Sequence, residues 1–179
     1  MANQSCLVLI KPDGLIKSLT GNIISVLSEA KLKIIGAKIV RVSRELAENH
    51  YNELKENQIK KHGLEKGMQI YENTLRYIQG NFHTDRVFAL VYYGENAIEK
   101  IRILAGNTNP EDADPVTIRG KYGRINSKTG VFENVIHASD SEVNAKKEIQ
   151  LWFTPEEITE NIYPSKRIKS EKEFLIWSN

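Results

Sequence analysis

Four short apolar runs, separated by stretches with helical spacing, most constrain how this chain can fold. Residues 6–10 form a continuous apolar run that stops at a Pro-Asp-Gly turn, which is typical of a buried strand. β-branched residues dominate 32–42, and Val, Phe and Tyr dominate 87–93. The fourth run is 132–136. The sequence therefore predicts four strands with helices between them.

The connections between these runs decide the topology. Apolar residues recur at helical spacing after Thr20, after Ser43, within 68–78 and after Asn96. Discounting one short helix gives the order βαββαβ, so we predict an α+β, ferredoxin-like fold with an antiparallel four-stranded sheet. A doubly wound parallel sheet is the alternative, although the chain lacks the glycine-rich fingerprint of that class.

Two stretches are predicted to be irregular or inserted. Residues 56–66 are polar and are followed by glycine, which favours a loop. Residues 106–130 contain Asn-Pro, Asp-Pro and several glycines, and such exposed loops are where functional groups concentrate. Capping boxes are predicted at Ser139 with Glu142 and at Thr154 with Glu157.

Length and charge exclude several classes of protein. A chain of 179 residues suits one domain, predicted to span 1–179. The net charge of +2 is too even to favour nucleic acid as the main partner. Cys6 is the only cysteine, which excludes an intrachain disulfide and a cysteine metal cluster. No apolar run is long enough for a signal peptide or a membrane span, so we expect a cytoplasmic protein.

His137 is the first candidate for chemistry. It follows the fourth run and precedes a predicted helix, whose free backbone amides would favour an anion. A neutral imidazole is a competent nucleophile near neutral pH, because its ordinary pKa is roughly 6.5. On position alone, a strand-end histidine that only hydrogen-bonds its neighbours is the better-supported interpretation.

Three cations make phosphate chemistry a reasonable hypothesis. Lys11, Arg102 and Arg119 each lie where an element meets a loop, and phosphoryl transfer depends on such clamps. Each of these three residues, considered alone, is more typical of a solvated surface charge. Their spacing in the sequence does not show that they meet at one site. The four histidines are scattered without metal-ligand spacing, so no zinc site is predicted.

Five local strings resemble the motifs of the nucleoside diphosphate kinase family. They occur in the family's order and span most of the chain. The strings are IKPDG at 10–14, TNP at 108–110, PVTIRG at 115–120, NVIHASDS at 134–141 and EIQLWF at 148–153.

This resemblance implies a ping-pong transfer of the γ-phosphate from a nucleoside triphosphate such as ATP to a nucleoside diphosphate, with Mg²⁺ between the phosphates. His137 would carry the phosphate, and Glu148 would orient its ring. Lys11 and Tyr51 would also be catalytic. The family's homo-oligomeric assembly implies a homo-oligomer here, a hexamer rather than a tetramer. The positions that match the family's substrate contacts are Lys11, Tyr51, Arg102, Thr108, Arg119 and Asn134, with Ser139 supporting Glu148.

The sequence departs from the family pattern in ways that affect base recognition. Members stack the base on an aromatic residue shortly after the position of Tyr51, and the matching position here is Ile59. Phe82 is an alternative if the insertion at 56–86 folds back. A second insertion spans 124–130, and Val116 and Ala138 stand where the family has glycine.

Other functions remain open from the sequence. A protein histidine kinase or nuclease side activity would use the same site. A non-catalytic scaffold would be favoured by loss of the histidine, the lysine or an arginine, and none is lost. A nucleic-acid regulator would depend on short basic runs such as Lys60-Lys61, which are more typical of a solvated surface.

Overall fold

The strand pairings define the fold in the computed structural model of the chain, which describes residues 3–167. The central strand β1 (Asn3–Ile10) pairs with β3 (Val87–Glu95) on one side and with β6 (Ile136–Ala138) on the other, and β2 (Lys33–Val40) pairs with the far side of β3. The sheet order is β2-β3-β1-β6 and every pairing is antiparallel. The predicted ferredoxin-like fold is confirmed, and the parallel alternative is excluded.

Helices cover both faces of this sheet. They are α1 (Pro12–Ile16), α2 (Thr20–Ser28), α3 (Arg44–His50), α4 (Leu54–His62), α5 (Leu64–Ile78), α6 (Ala97–Ala105), α7 (Ile118–Tyr122) and α8 (Glu142–Trp152). Two of them, α2 and α6, serve as the helices of the basic βαββαβ order.

β1 is apolar throughout because both of its faces are buried. Successive side chains of a strand point to opposite faces. Cys6 and Val8 therefore join a core with α2 and α6, whereas Leu7 and Leu9 join a second core with α3, α5 and α8. Burial on both sides explains the continuous run rather than an alternating pattern.

The prediction of a loop at 56–66 is wrong, because this stretch belongs to α4 and the start of α5. α4 buries no residue completely, so its sequence carries no apolar stripe from which to recognise a helix. Gly63 ends it with φ +82°. Gly67 then lets the two helices approach closely, since a Cβ there would lie 2.5 Å from Ile59 Cα.

The stretch 106–130 contains more structure than predicted. A 3₁₀ turn at Pro110–Asp112 and helix α7 precede a small hairpin of β4 (Arg124–Ile125) and β5 (Phe132–Glu133). The predicted strand at 132–136 is also wrong in its bounds, because it breaks between β5 and β6. His137 consequently lies within β6, paired with Leu9, and does not follow a strand.

One of the two predicted capping boxes is correct. Glu157 Oε2 accepts a hydrogen bond from the Thr154 amide at 2.8 Å, as expected, although only a 3₁₀ turn follows. The box at Ser139 is wrong: Ser141 caps α8 by accepting from the Asn144 amide at 3.2 Å. Ser139 is buried and serves another purpose. Among residues 3–167, no helix combines the length and apolar character needed to cross a membrane.

Candidate active site

A cavity of about 540 Å³ lies where β6, the end of β1 and the two insertions meet. It has a cationic side and an apolar side. An adjoining depression of about 750 Å³ is more open, and its described lining contains no histidine or lysine. The residues predicted from the sequence that line the cavity are Lys11, Tyr51, Arg102, Thr108, Arg119, Asn134, His137 and Glu148.

His137 is held between β1 and α8. Its Nε2 lies 3.0 Å from Glu148 Oε1, close enough for an ion pair although the ring N–H is not aligned for a hydrogen bond. Ser139 Oγ donates to the other oxygen of Glu148 at 2.5 Å and accepts from the Leu7 amide at 3.0 Å. Ser139 thus ties the carboxylate to the backbone of β1. Because Nε2 is buried, Nδ1 is the ring nitrogen left for chemistry.

The Glu148 carboxyl stays ionised in this setting. Burial alone would raise its pKa, but the contacts from His137 and Ser139 outweigh burial and hold the pKa below its ordinary value. An ionised acceptor beside Nε2 favours a hydrogen on that nitrogen and a lone pair on Nδ1. The pair therefore selects the nucleophilic tautomer of His137.

Lys11 is a buried cation at the end of β1. Its side chain is 8% exposed, and Nζ donates to the Phe132 carbonyl at 3.3 Å. Burial lowers the pKa of Lys11, and Asp13 opposes that effect. A buried ammonium with a single carbonyl partner has spare donors, which an anion in the cavity can accept.

Arg119 is the second buried cation. Its guanidinium donates to the Gly106 carbonyl at 2.9 Å and to the Ile136 carbonyl at 3.2 Å, so it is fixed beside the backbone of His137. Burial and the neighbouring Arg102 lower the pKa of Arg119 to about 10, and it remains charged at neutral pH. Two guanidinium groups and Lys11 therefore converge on one cavity, which the sequence spacing did not show.

The short segment before His137 is shaped by a buried carboxylate. Val135 has φ +58°, a region that β-branched residues rarely adopt. Asp13 Oδ2 accepts from the Val135 amide at 2.9 Å, and the Val135 carbonyl accepts from the Lys11 amide at 2.9 Å. Asp13 was not among the predicted residues, although it lies in the IKPDG string.

Three further predicted residues, Asn134, Thr108 and Tyr51, also line the cavity. Asn134 Nδ2 donates to the Thr108 carbonyl at 2.7 Å, which joins two of the motifs directly. Tyr51 follows the last residue of α3, and burial raises the pKa of its hydroxyl, which therefore remains a hydrogen-bond donor at neutral pH.

Ile59 and Phe82, the two predicted base contacts, do not line the cavity. Ile59 faces Gly67 of α5, and Phe82 packs on Tyr77 with its ring centroid 5.4 Å away. One face of α4 contributes instead, through Leu54, Gln58, Lys61 and His62. The apolar side of the cavity is lined by Leu54, Ile70, Ile78, Val131 and Phe132, with Gln58, Lys61, His62 and Thr74 among them.

His50 is another residue that the sequence analysis did not assign to the site. Its ring lies 4.6 Å from the ring of His137 and 5.5 Å from that of Trp152, between centroids. His50, His137 and Glu148 offer ligand atoms within 4.8 Å of one another, contrary to the expectation that the histidines are scattered. The only signal in the sequence was its position on the inner face of α3.

A sequence profile described as nucleoside diphosphate kinase matches residues 4–158. The chain belongs to the nucleoside diphosphate kinase family. A nucleoside diphosphate kinase of Pyrococcus furiosus is 43% identical over 157 residues, 88% of this chain and 87% of that protein. One from Staphylococcus epidermidis is 39% identical over 153 residues, 86% of this chain and 89% of that protein. The family is one of phosphotransferases, so this chain is an enzyme of that class.

Solved structures of the family share the fold at full length. A transition-state mimic of the Borrelia burgdorferi nucleoside diphosphate kinase, with bound vanadate and ADP, has a TM-score of 0.75 at 33% identity and covers 92% of this chain and 93% of its own. An NDP kinase from Pyrobaculum aerophilum has a TM-score of 0.77 at 31% identity, covering 89% of this chain and all of its own.

Proposed function

We propose that this enzyme transfers the γ-phosphate of a nucleoside triphosphate such as ATP to a nucleoside diphosphate through a phosphohistidine at His137. The observation that carries the proposal is the pairing of His137 Nε2 with Glu148 at 3.0 Å, on a cavity that Lys11, Arg102 and Arg119 also line. Two other cavities among residues 3–167 each have a single lysine or arginine in their lining, Arg102 in one and Lys147 in the other.

The first half of the reaction is a displacement at phosphorus. The lone pair on Nδ1 of His137 forms a bond to the γ-phosphorus, and the bond from that phosphorus to the β-phosphate oxygen breaks. The nucleoside diphosphate leaves with the bonding electrons. Lys11 and Arg119 neutralise charge on the transferring group, where fixed cations are most effective.

The second half reverses these steps with a different nucleotide. A terminal oxygen of the incoming diphosphate attacks the phosphorus, and the imidazole leaves with its lone pair restored. Glu148 holds the Nε2 hydrogen in both halves. The Tyr51 hydroxyl, whose pKa is raised, donates a hydrogen bond near the γ-phosphate, and Asn134 and Thr108 contact ribose or phosphate.

The cofactor expected at this site is Mg²⁺, which would be held together with the nucleotide. The cavity offers one described carboxylate besides Glu148, that of Asp140. Hydrogen bonds from Asn144 and Ser141 outweigh the effect of burial and lower the pKa of Asp140. An ionised oxygen donor fits the preference of Mg²⁺ for carboxylates and waters. The ion supplies charge neutralisation between the phosphates.

The vanadate and ADP bound to the Borrelia relative support this arrangement, since that complex is described as a transition-state mimic. By analogy, a transferring phosphoryl group in this chain would lie between His137 and the diphosphate. The base would then extend toward the apolar side of the cavity, against Leu54, Ile70 and Phe132, rather than against Ile59.

Initial-rate kinetics test the ping-pong order. With ATP as donor and CDP as acceptor, double-reciprocal plots at several CDP concentrations should be parallel, because no complex contains both nucleotides. Intersecting lines would contradict the mechanism. His137→Gln should abolish turnover, and ADP binding to this variant should persist because the cations remain.

The remaining properties of the whole chain stay proposals. We propose one domain over 1–179, a cytoplasmic location and a homo-oligomer, a hexamer rather than a tetramer. The edge strand β2 exposes Ile34 and Ile39, at 46% and 56%, and such an edge is suited to pairing with another copy. Light scattering should give six times the 20.4 kDa chain mass. A monomeric mass would contradict the assembly without affecting the chemistry.

A further inference from the structure

His50 takes no part in the chemistry proposed above and does not line the cavity, yet its ring packs directly against the ring of His137. It ends α3 and makes edge contacts with three rings: His137 at 4.6 Å, Tyr51 at 4.7 Å and Trp152 at 5.5 Å between centroids. Its Nε2 is buried without a hydrogen-bond partner. A buried polar atom of this kind needs an explanation, because leaving it unpaired costs free energy.

Trp152 fixes the tautomer of this ring. The indole nitrogen can only donate, and it donates to His50 Nδ1 at 3.2 Å. A neutral imidazole that accepts at Nδ1 carries its hydrogen on Nε2. Burial and the neighbouring His137 lower the pKa of His50 to about 3, so the ring is neutral at physiological pH.

This tautomer determines what His50 can do. A ring nitrogen that carries hydrogen has no lone pair for a metal ion, so the His50, His137 and Glu148 group is poorly suited to bind one while Trp152 donates to Nδ1. The Nε2 hydrogen is instead an unpaired donor, on a ring whose centroid lies 4.6 Å from that of His137. The groups beside it are His137, Glu148, Tyr51 and Lys11.

We propose that His50 is a positioning residue for His137. Trp152 holds His50 with hydrogen on Nε2, and that N–H together with the ring edge keeps the His137 imidazole turned so that Nδ1 faces the cavity. Glu148 is the anion whose charge acts on the His50 ring, and it is the acceptor that the proposal assigns to that N–H. The inference rests on the proposed phosphohistidine mechanism, and it assigns the orientation of the nucleophile to a pair of residues 102 positions apart.

Three variants test the proposal by single-turnover phosphorylation with saturating ATP. His50→Phe keeps a ring but removes the N–H, and should slow phosphorylation of His137 by about tenfold or more with unchanged ADP affinity. His50→Gln supplies an amide N–H at the place of Nε2 and should recover most of the rate. Trp152→Phe should also slow the step, since it releases the tautomer.

The outcomes separate this role from a structural one. The proposal is overturned if His50→Phe and His50→Gln lose phosphorylation rate equally and in proportion to their loss of melting temperature. It is also overturned if His50→Phe is phosphorylated at the rate of the parent protein. Where a variant does not fold, long-range ¹H–¹⁵N spectra of the parent protein decide: hydrogen on Nδ1 of His50 would contradict the proposal. Failure of the parent to phosphorylate His137 would instead overturn the proposed function.

Discussion

At the scale of single residues, the site combines groups that linear motifs reveal with groups that only packing brings in. His137, Glu148, Lys11 and Arg119 lie in strings that could be recognised, and all the predicted site residues except Ile59, Phe82 and Ser139 line the cavity. His50 and Asp13 could not be assigned in the same way. Their partners, Trp152 and Val135, are more than a hundred positions distant, and no local pattern encodes such a contact.

Asp13 is expected to stabilise the turn that carries His137. Asp13→Ala removes the acceptor of the Val135 amide and should lower the free energy of unfolding by about 1–3 kcal/mol, because a buried N–H loses its partner. Urea unfolding measures the change. Asp13→Asn is the matched control, since its amide oxygen can still accept, and it should cost less. Equal losses in both variants would show that this hydrogen bond is not responsible.

At the scale of secondary structure elements, strands with two buried faces were easier to predict than helices with none. β1 and β3 were recognisable because continuous apolar runs follow from burial on both sides. α4 was missed because it is mostly polar and buries no residue, and helical periodicity appears only where one face is buried. Ile59 was predicted from its spacing after Tyr51, and spacing does not tell which face of the helix lines the cavity.

The α4–α5 pair is expected to depend on Gly67. Gly67→Ala places a methyl group 2.5 Å from Ile59 Cα, so the helices must separate, and the free energy of unfolding should fall by about 1–3 kcal/mol. The KM for ATP should rise as well, because α4 and α5 line the cavity.

Gly21→Ala is the control for this change. Gly21 also lies in a helix, but a Cβ there meets nothing within 4 Å. Alanine should therefore be neutral or stabilise the protein by up to about 1 kcal/mol through helix propensity. If Gly67→Ala and Gly21→Ala behave alike in thermal unfolding and in KM, the close approach of α4 and α5 at Gly67 does not determine the shape of the cavity.

At the scale of the whole molecule, the two insertions act together. Glu133 of β5 is buried, and its carboxylate accepts from Arg124 Nε at 2.6 Å and lies 3.5 Å from His83 Nε2, which follows α5. Burial would raise the pKa of Glu133, but hydrogen bonds from Arg124, Tyr77 and Asn126 hold it at about 2. The sequence could locate both insertions, but it could not predict that they meet at Glu133.

The free energy of unfolding is expected to depend on pH because the fold buries His50 in its neutral form. The folded protein has its pKa at about 3, whereas an unfolded histidine titrates near 6.5, so only the unfolded chain takes up this proton between those values. The stabilisation that follows from keeping His50 neutral in the fold is fully present above pH 6.5 and declines as the pH falls toward 3. From pH 7 to pH 5 the loss from this group should be about 2 kcal/mol.

Urea unfolding of the parent and of His50→Gln at pH 7 and pH 5 measures that loss. The variant should lose less stability over this range, because the other titrating groups, including Glu148 with its lowered pKa, are common to both proteins. Identical pH dependence in the two proteins would mean that His50 is not held neutral by the fold.

The most direct test of the central claim is isolation of the phosphorylated enzyme. The protein is incubated with ATP labelled in the γ-phosphate, freed of nucleotide, and then mixed with GDP alone. We predict label that is acid-labile and base-stable, that maps to His137, that passes to GTP, and that is absent from His137→Ala. An unlabelled parent protein, or label that survives in His137→Ala, would contradict the account.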